Sequence, residues 1–424
     1  MEILHKDSTL CTDSRLHCFN DPPTESSIES EFYETFYPTV PSTGPQTPVE
    51  FQVSNLSPAT VLSFEGAHLE IKCKITKSDG TDAATAAVAD NVRVNNMAGP
   101  CIFKSLEVHC NNVMVSGFEH YPLRTYFELI TKTTKNFRDS IGSLYGYTDQ
   151  STATWDSVGS KFLFKLGEGS KEMNFILPLS TDIAQIQNFL MYGCELRIVC
   201  HQNEDSYRLV HKDAAALSHT LKIISCKLKV KKVKLCDNVS VALERKLSTS
   251  PCNYVLPGFD TRFRTLSADA FDYIIDDFFV VTPSYLLIGF QDNNVYNGDH
   301  KSDSLTFKHA SVAEIILQIG SQQIRRSYDF TNKTSLAGEY LELMNNLGKT
   351  ECPFSFESFS DGTKFMCLFD LSPNSDTCLP RIKRESCRLQ IVFKNKLEAP
   401  LTMVVISETP RIMSVDSSRS VQLV

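Results

Sequence analysis

The chain carries its own local order twice. From Ile102 to Ile130 a strand, an Asn111-Asn112 turn and a second short strand lead into a helix containing Tyr126-Phe127-Glu128-Leu129-Ile130. The same succession returns from Val312 to Met344: the strand Glu314 to Ile319, the turn Gly320-Ser321-Gln322-Gln323, then a helix with Tyr340-Leu341-Glu342-Leu343-Met344. The two helices lie about half a chain apart, far beyond the roughly 20 to 50 residue period of a solenoid, so the repeated unit is a domain. Coincidence in a five-residue pattern is the competing explanation. Length agrees with duplication, because a single core stops growing near roughly 250 to 300 residues and this chain has 424.

Hydrophobic alternation is mostly of period two, the mark of half-buried strands. Leu69, Ile71, Cys73 and Ile75 alternate with Glu70, Lys72 and Lys74, and Phe162, Phe164 and Leu166 alternate with Lys161, Leu163 and Lys165. Further strands are expected over 172–177, 195–200, 220–235, 238–243, 285–290, 364–369, 388–393 and 401–407. Helical periodicity is confined to short insertions. Many short strands between Gly, Asn, Asp and Pro turns predict β-sandwiches or barrels. Residues 1–45, rich in Ser, Thr, Pro and acids, read as an extended arm without a core of its own.

A net charge of −8 gives no global field for nucleic acid or an anionic membrane. The N-terminus lacks the basic, apolar and small-residue regions of a signal peptide, and no apolar run approaches the roughly 18 residues of a membrane span. A cytosolic or nuclear protein is therefore expected. None of the 14 cysteines forms Cys-x-x-Cys. Cys194, Cys200 and His201, with His109 and Cys110, make the nearest approach to a metal set, but their alternation along one strand fits core packing.

One basic run needs weighing. Lys227, Lys229 and Lys231 share a strand face, and Lys231-Lys232 shifts the phase by one residue before Lys234, as a β-bulge does. The run reads as a solvated lysine face, on an edge strand protected against stray pairing, as an inner basic face toward packaged DNA, or as a nuclear localisation signal. Catalytic motifs are missing: there is no Gly-x-Ser-x-Gly, no phosphate-binding Gly-x-x-x-x-Gly-Lys and no His-Glu-x-x-His. The acidic group Asp269, Asp272, Asp276 and Asp277 reads as a turn or solvated face. Asp292-Asn293-Asn294 with Asn297-Gly298-Asp299 lacks the spacing of an EF-hand. The ten histidines are dispersed, against a cupin-like enzyme. No enzymatic activity, cofactor, metal or small-molecule substrate is expected.

The stretch from Leu286 through Gly289, Phe290, Asp292, Asn293, Asn297 and Gly298 to Phe307 and His309 resembles a signature of the major capsid proteins of Polinton (Maverick) elements and adintoviruses. Other matches follow in order. Pro22, Pro23, Thr24, Ile28 and Glu29 resemble the family's N-terminal arm motif, and Val49 to Val53 its first strand. Tyr121, Pro122, Arg124 and Tyr126 resemble its Tyr-Pro-x-Arg helix start. Tyr340 to Gly348 and Asp370-Leu371-Ser372 complete a resemblance that spans nearly the whole chain. There are two departures. Asp303-Ser304-Leu305-Thr306 stands where the family often has Asn-Pro-Phe, and Ile324-Arg325-Arg326 where it often has Pro.

The resemblance implies an all-β double jelly-roll, two tandem eight-stranded antiparallel rolls with short helical insertions: arm 1–45, first roll 46–236, second roll 237–412 and tail 413–424. It also implies a structural major capsid protein that self-assembles into pseudo-hexagonal homotrimers tiling an icosahedral shell around double-stranded DNA. Partners would be other copies, neighbouring capsomers, and penton and minor capsid proteins, with packaged DNA touched at most indirectly. The protein would be made in the cytosol and assembled into the virion capsid in the nucleus or cytoplasm. Deleting residues 1–45 is expected to leave folded capsomers but impair shell closure. The alternative function is a host-domesticated binding module that keeps the fold without assembling.

Overall fold

A computed structural model describes residues 25–40, 47–55, 57–82, 92–152, 154–212, 218–276, 279, 281–347, 354–362, 364–372 and 384–423. Eight strands form the two main sheets of the first half: β1 (Ile28–Phe36), β2 (Val49–Val53), β3 (Thr60–Lys77), β4 (Phe103–Cys110), β5 (Val113–Glu119), β6 (Met173–Pro178), β7 (Leu196–Gln202) and β8 (His219–Leu235); the short strands Val92–Val94 and Leu209–His211 pair apart from them. Eight more form those of the second: β9 (Phe259–Leu266), β10 (Asp272–Ile275), β11 (Tyr285–Asp292), β12 (Val312–Ile319), β13 (Gln322–Ser327), β14 (Cys367–Asp370), β15 (Cys387–Phe393) and β16 (Leu401–Glu408).

Sheet order makes the duplication concrete. The first half pairs its strands as β1-β8-β3-β6 and β2-β7-β4-β5, and the second as β9-β16-β11-β14 and β10-β15-β12-β13. Adding eight to each label of the first half gives the second. Each half is thus two four-stranded antiparallel sheets in jelly-roll order, and the chain is an all-β double jelly roll. The hairpin turns repeat too. Asn111 and Asn112 both have positive φ, 46° and 68°, as a two-residue turn between twisted strands requires, and Gly320 (φ 53°) opens the second. Between the hairpin and the next strand each roll inserts a helix, α1 (Tyr121–Lys132) in the first and Ala337–Asn346 in the second.

The alternating residues of β3 behave as their pattern predicts: Leu69, Ile71, Cys73 and Ile75 are at most 1% exposed, with Glu70, Lys72 and Lys74 on the other face. Two expected strands are instead helices. Val158–Gly167 is helical because Gly159, Leu163 and Gly167, four apart, form the buried face; a Cβ on Gly167 would stand 2.6 Å from Ile75 Cδ1. Small residues that mark a helix face do not register in an apolar alternation. Asp237–Leu247, expected as a strand over 238–243, has Asp237 in its first turn and Arg245 and Lys246 in its last, charges that suit the helix dipole. It buries Ser240 and Leu247, and the Ser240 hydroxyl donates to Pro58 O at 2.7 Å.

Two terminal segments differ from expectation. Ile28–Phe36, inside the interval read as an arm, is β1 and pairs with β8 from Ile28↔Leu235 to Phe36↔Leu228. Deleting 1–45 would therefore remove a strand of the first roll. At the other end, Arg411–Val415 pairs with both Cys252–Leu256 and Val421–Leu423, so the expected tail is part of a three-stranded sheet.

The two cores are laced together. Tyr254, Leu256, Met413, Val415 and Val421, all outside the first eight strands, pack into the first roll's core. Conversely α1, inserted in the first roll, places Leu123, Tyr126, Phe127, Leu129 and Ile130 in the core of the second. No helix among the described residues is long and apolar enough to cross a membrane.

Candidate functional site

For a chain of this shape the sites to find are the surfaces joining one β-unit to the next. The internal one is the seam between the rolls, and α1 is its centre. His120 adopts φ 63° to turn the chain into the helix, and Pro122 sits in the first turn, where its missing N–H costs nothing. Tyr121 stays with the first roll, donating from its hydroxyl to Pro178 O at 2.6 Å. Tyr126 and Phe127 face the other way onto Phe307, with ring centres 5.8 and 5.0 Å apart. Phe307 in turn lies against Gly289, where a Cβ would stand 2.7 Å from its ring. The glycine is needed there for close approach. Phe290, the next residue of β11, is fully buried and stacks on Phe365.

Polar groups fix the register of this seam. Arg124 is 1% exposed; its guanidinium donates to Glu128 and to Asp182, each at 2.9 Å, and lies 4.5 Å above the Phe259 ring of β9. Asp182 also accepts from the Phe259 amide at 3.4 Å. A second buried pair, Arg93 to Asp303 at 2.8 Å, joins the rolls with side chains 3% and 5% exposed. Asn95 donates to Ser304 Oγ at 2.6 Å. The Tyr296 hydroxyl shares a 3.1 Å hydrogen bond with His120 Nε2, beside Phe263. Lys364 pairs with Asp149. Burial raises that carboxyl's pKa, but Lys364 and Tyr147 outweigh it and hold Asp149 below the ordinary range.

Between α1 and β9, β11 and β16 remains a cavity of about 150 Å³ bordered by Arg124, Lys132, Tyr285 and Glu408. Burial raises the Glu408 carboxyl's pKa above its usual value, with Lys132 and Arg124 opposing.

The motif residues therefore meet in two places, and the rest stand apart. Tyr126, Gly289, Phe290 and Phe307 converge at the seam, with Tyr121, Pro122 and Arg124 on the helix that builds it. Asp292, Asn293, Asn297 and Gly298 shape the turn after β11. Asn293 accepts from Thr402 at 2.9 Å, Asn297 N donates to Asn293 O at 3.1 Å, and Gly298 takes φ 87° facing Ser206, while Asp292 pairs with Lys308. Elsewhere in the second roll, His309 stacks on Phe330 at 3.9 Å and accepts from Ser311 N, and burial lowers its pKa. Tyr340 donates to Phe354 O at 2.8 Å, and Asp370 accepts from the Ser372 amide and hydroxyl while Leu371 N donates to Ser284 O. Pro22, Pro23, Thr24 and Gly348 lie outside the described residues. Arg93, Asn95, Asp182 and Phe259 went unnoticed in the sequence. Asp303 and Ser304, where the resemblance breaks off, both bond across the seam, to Arg93 and Asn95.

The lysine run occupies an interior strand, not an edge, because β8 has β1 on one side and β3 on the other. The phase shift is a bulge in the β8–β3 pairing between Lys229 and Lys231. Lys229 pairs with Glu70, Lys231 with Glu31 (3.5 Å) and Glu65 (3.7 Å), Lys232 with Glu34, and Lys234 with Glu29 (2.8 Å). Lys227 lies 5.8 Å from the centre of the Tyr37 ring. Ile28, at the start of β1, packs on Val61, Val233 and Leu235.

Cys110, Cys194 and Cys200 are buried free thiols. Among the described residues no group of three or more His, Cys, Asp or Glu is arranged to hold a metal ion.

No protein-family model matches the chain, and no curated protein matches it. Solved structures do. A chain of the Sputnik virophage is 14% identical with a TM-score of 0.63, over 100% of this chain and 94% of that one. The Faustovirus major capsid protein is 7% identical with a TM-score of 0.61, over 96% and 93%. The mavirus major capsid protein is 10% identical with a TM-score of 0.56, over 100% and 97%. At such identities the likeness lies in the fold, and it takes in both rolls.

Proposed function

We propose that this chain is a major capsid protein, related to those of Polinton elements and adintoviruses, that assembles as a pseudo-hexagonal homotrimer into an icosahedral shell around double-stranded DNA. The observation that carries this reading is the identical strand order of two rolls whose cores share residues across one seam. A trimer of such a unit presents six rolls around its axis, and six near-equivalent sides tile a facet. Full-length similarity to viral major capsid proteins supports it.

Exposed apolar side chains give the trimer its contacts. Ile141, Leu144, Val158 and Phe162 lie in the insertion between β5 and β6, and Leu341, 61% exposed, in the matching insertion between β13 and β14. These two insertions are the trimer-locking elements. Penton and minor capsid proteins would meet the outer edges of the trimer. The glutamate-paired lysines of β8 favour a solvated ladder over a DNA-facing surface.

Negative-stain imaging of concentrated purified protein tests the reading: hexagonal capsomers or closed shells are expected. Featureless monomers under all conditions would favour a module that kept the fold and lost assembly.

A further inference from the structure

Three histidines meet where the second roll's turn after β11 crosses the first roll. His211 ends the short strand Leu209–His211, which pairs with Val92–Val94. His219 begins β8, and His300 follows the Asn293–Tyr296 turn. The His211 ring centre stands 5.8 Å from that of His219 and 6.0 Å from that of His300. His211 N donates to His300 O at 2.7 Å, so a main-chain bond across the seam runs through the cluster. His211 is only 7% exposed, and neither of its ring nitrogens has a hydrogen-bond partner among the described residues.

We propose that His211, packed between His219 and His300, is an acid-sensitive latch across the seam, closed while its own imidazole is neutral and released as it takes up a proton. The physical reason is linkage. A buried imidazole without an acceptor resists charging, whereas in an opened seam it is solvated and takes its proton normally. Burial, with His219 and His300 beside it, lowers the His211 pKa to about 4.

Among the described residues no carboxylate pairs with His211. Lys77 stands opposite His219 in the β3–β8 pairing, Lys212 follows His211, and Asp299 and Lys301 flank His300. Asp303 is held by Arg93, and Asp205, near the start of β8, by Arg208. A depressed histidine pKa removes stability as pH falls from its unfolded value near 6.5 toward 4, and the loss saturates below that. Over this window the opening equilibrium of the seam should rise on the order of a hundredfold.

The chain's single tryptophan reports on the seam, because Arg93 lies 5.9 Å from the Trp155 ring centre. Trp155 emission is titrated from about pH 7.5 to 4 on wild type, His211→Phe and His300→Gln, at protein concentrations where light-scattering mass is constant. Constant mass keeps the result independent of the assembly reading. Hydrogen exchange at two pH values, corrected for intrinsic rates, then locates the opening. Expected is a wild-type transition between about pH 6.5 and 4, with exchange rising in 299–306 and 92–96, and a transition moved to lower pH in either variant that folds. A wild type without a transition, or variants that titrate as wild type does, would overturn the latch.

Discussion

The seam between the rolls and the lysine–glutamate ladder of β1 and β8 use the same charge chemistry in opposite surroundings. At the seam Arg124, Asp182, Arg93 and Asp303 have side chains 1 to 5% exposed. In the ladder the outermost pair, Lys234 and Glu29, is 47% and 53% exposed, and further in Lys231 and Lys232 are 19% and 14% exposed while their glutamates, Glu31 and Glu34, stay 44% and 39% exposed. Separating ions that have been taken out of water is costly, so the seam disfavours any register that breaks the Arg124–Asp182 and Arg93–Asp303 pairs. Ions left in water contribute little each and are screened by salt. The ladder holds β1, a strand that buries few side chains, against a roll that already has its core. One region fixes the geometry of the double roll, and the other fastens an edge to it.

That contrast is open to attack at several points. Arg124→Ala strands Asp182 in a buried site and should cost about 3–5 kcal/mol of unfolding free energy, measured by denaturant titration. Phe307→Ala empties the contact of Tyr126 and Phe127 and should also cost about 3–5 kcal/mol. A fall in stability without separate melting of the rolls would support a shared core; two resolved transitions would break that idea. Gly289→Ala places a methyl 2.7 Å from the Phe307 ring, and the expected penalty is about 1–3 kcal/mol. The smallest effect belongs to the ladder. Lys234→Ala should leave the melting temperature unchanged within error, while 1 M salt speeds amide exchange in β1 and leaves the seam as it was, since screening at that concentration acts within roughly 3 Å. Equal salt sensitivity in both regions would contradict the distinction.

How far the sequence reveals this molecule depends on which signals are local. The duplicated hairpin and helix were legible because Asn111-Asn112, Gly320 and the Tyr126 and Tyr340 segments are short-range patterns, and the strand alternation of β3 and β8 is equally plain. The alternation over 161–166 reads as a strand because the buried face of the helix Val158–Gly167 is written mainly in small residues, Gly159, Ser160 and Gly167. Residues 1–45 read as an arm because the strand within them, β1, finds its partners on β8 some 200 residues away and not in a core of its own. The seam was half legible. The family resemblance singled out Tyr126, Gly289 and Phe307 without saying that they touch, while Asp182 and Arg93 carry no sequence mark of the partners that bury them.

The most direct test of the account is the mass of the purified full-length chain in solution by multi-angle light scattering. A single species at three times the 47.6 kDa chain mass, stable across dilution, is the result the account predicts. A monomer that persists over the whole concentration range would contradict it.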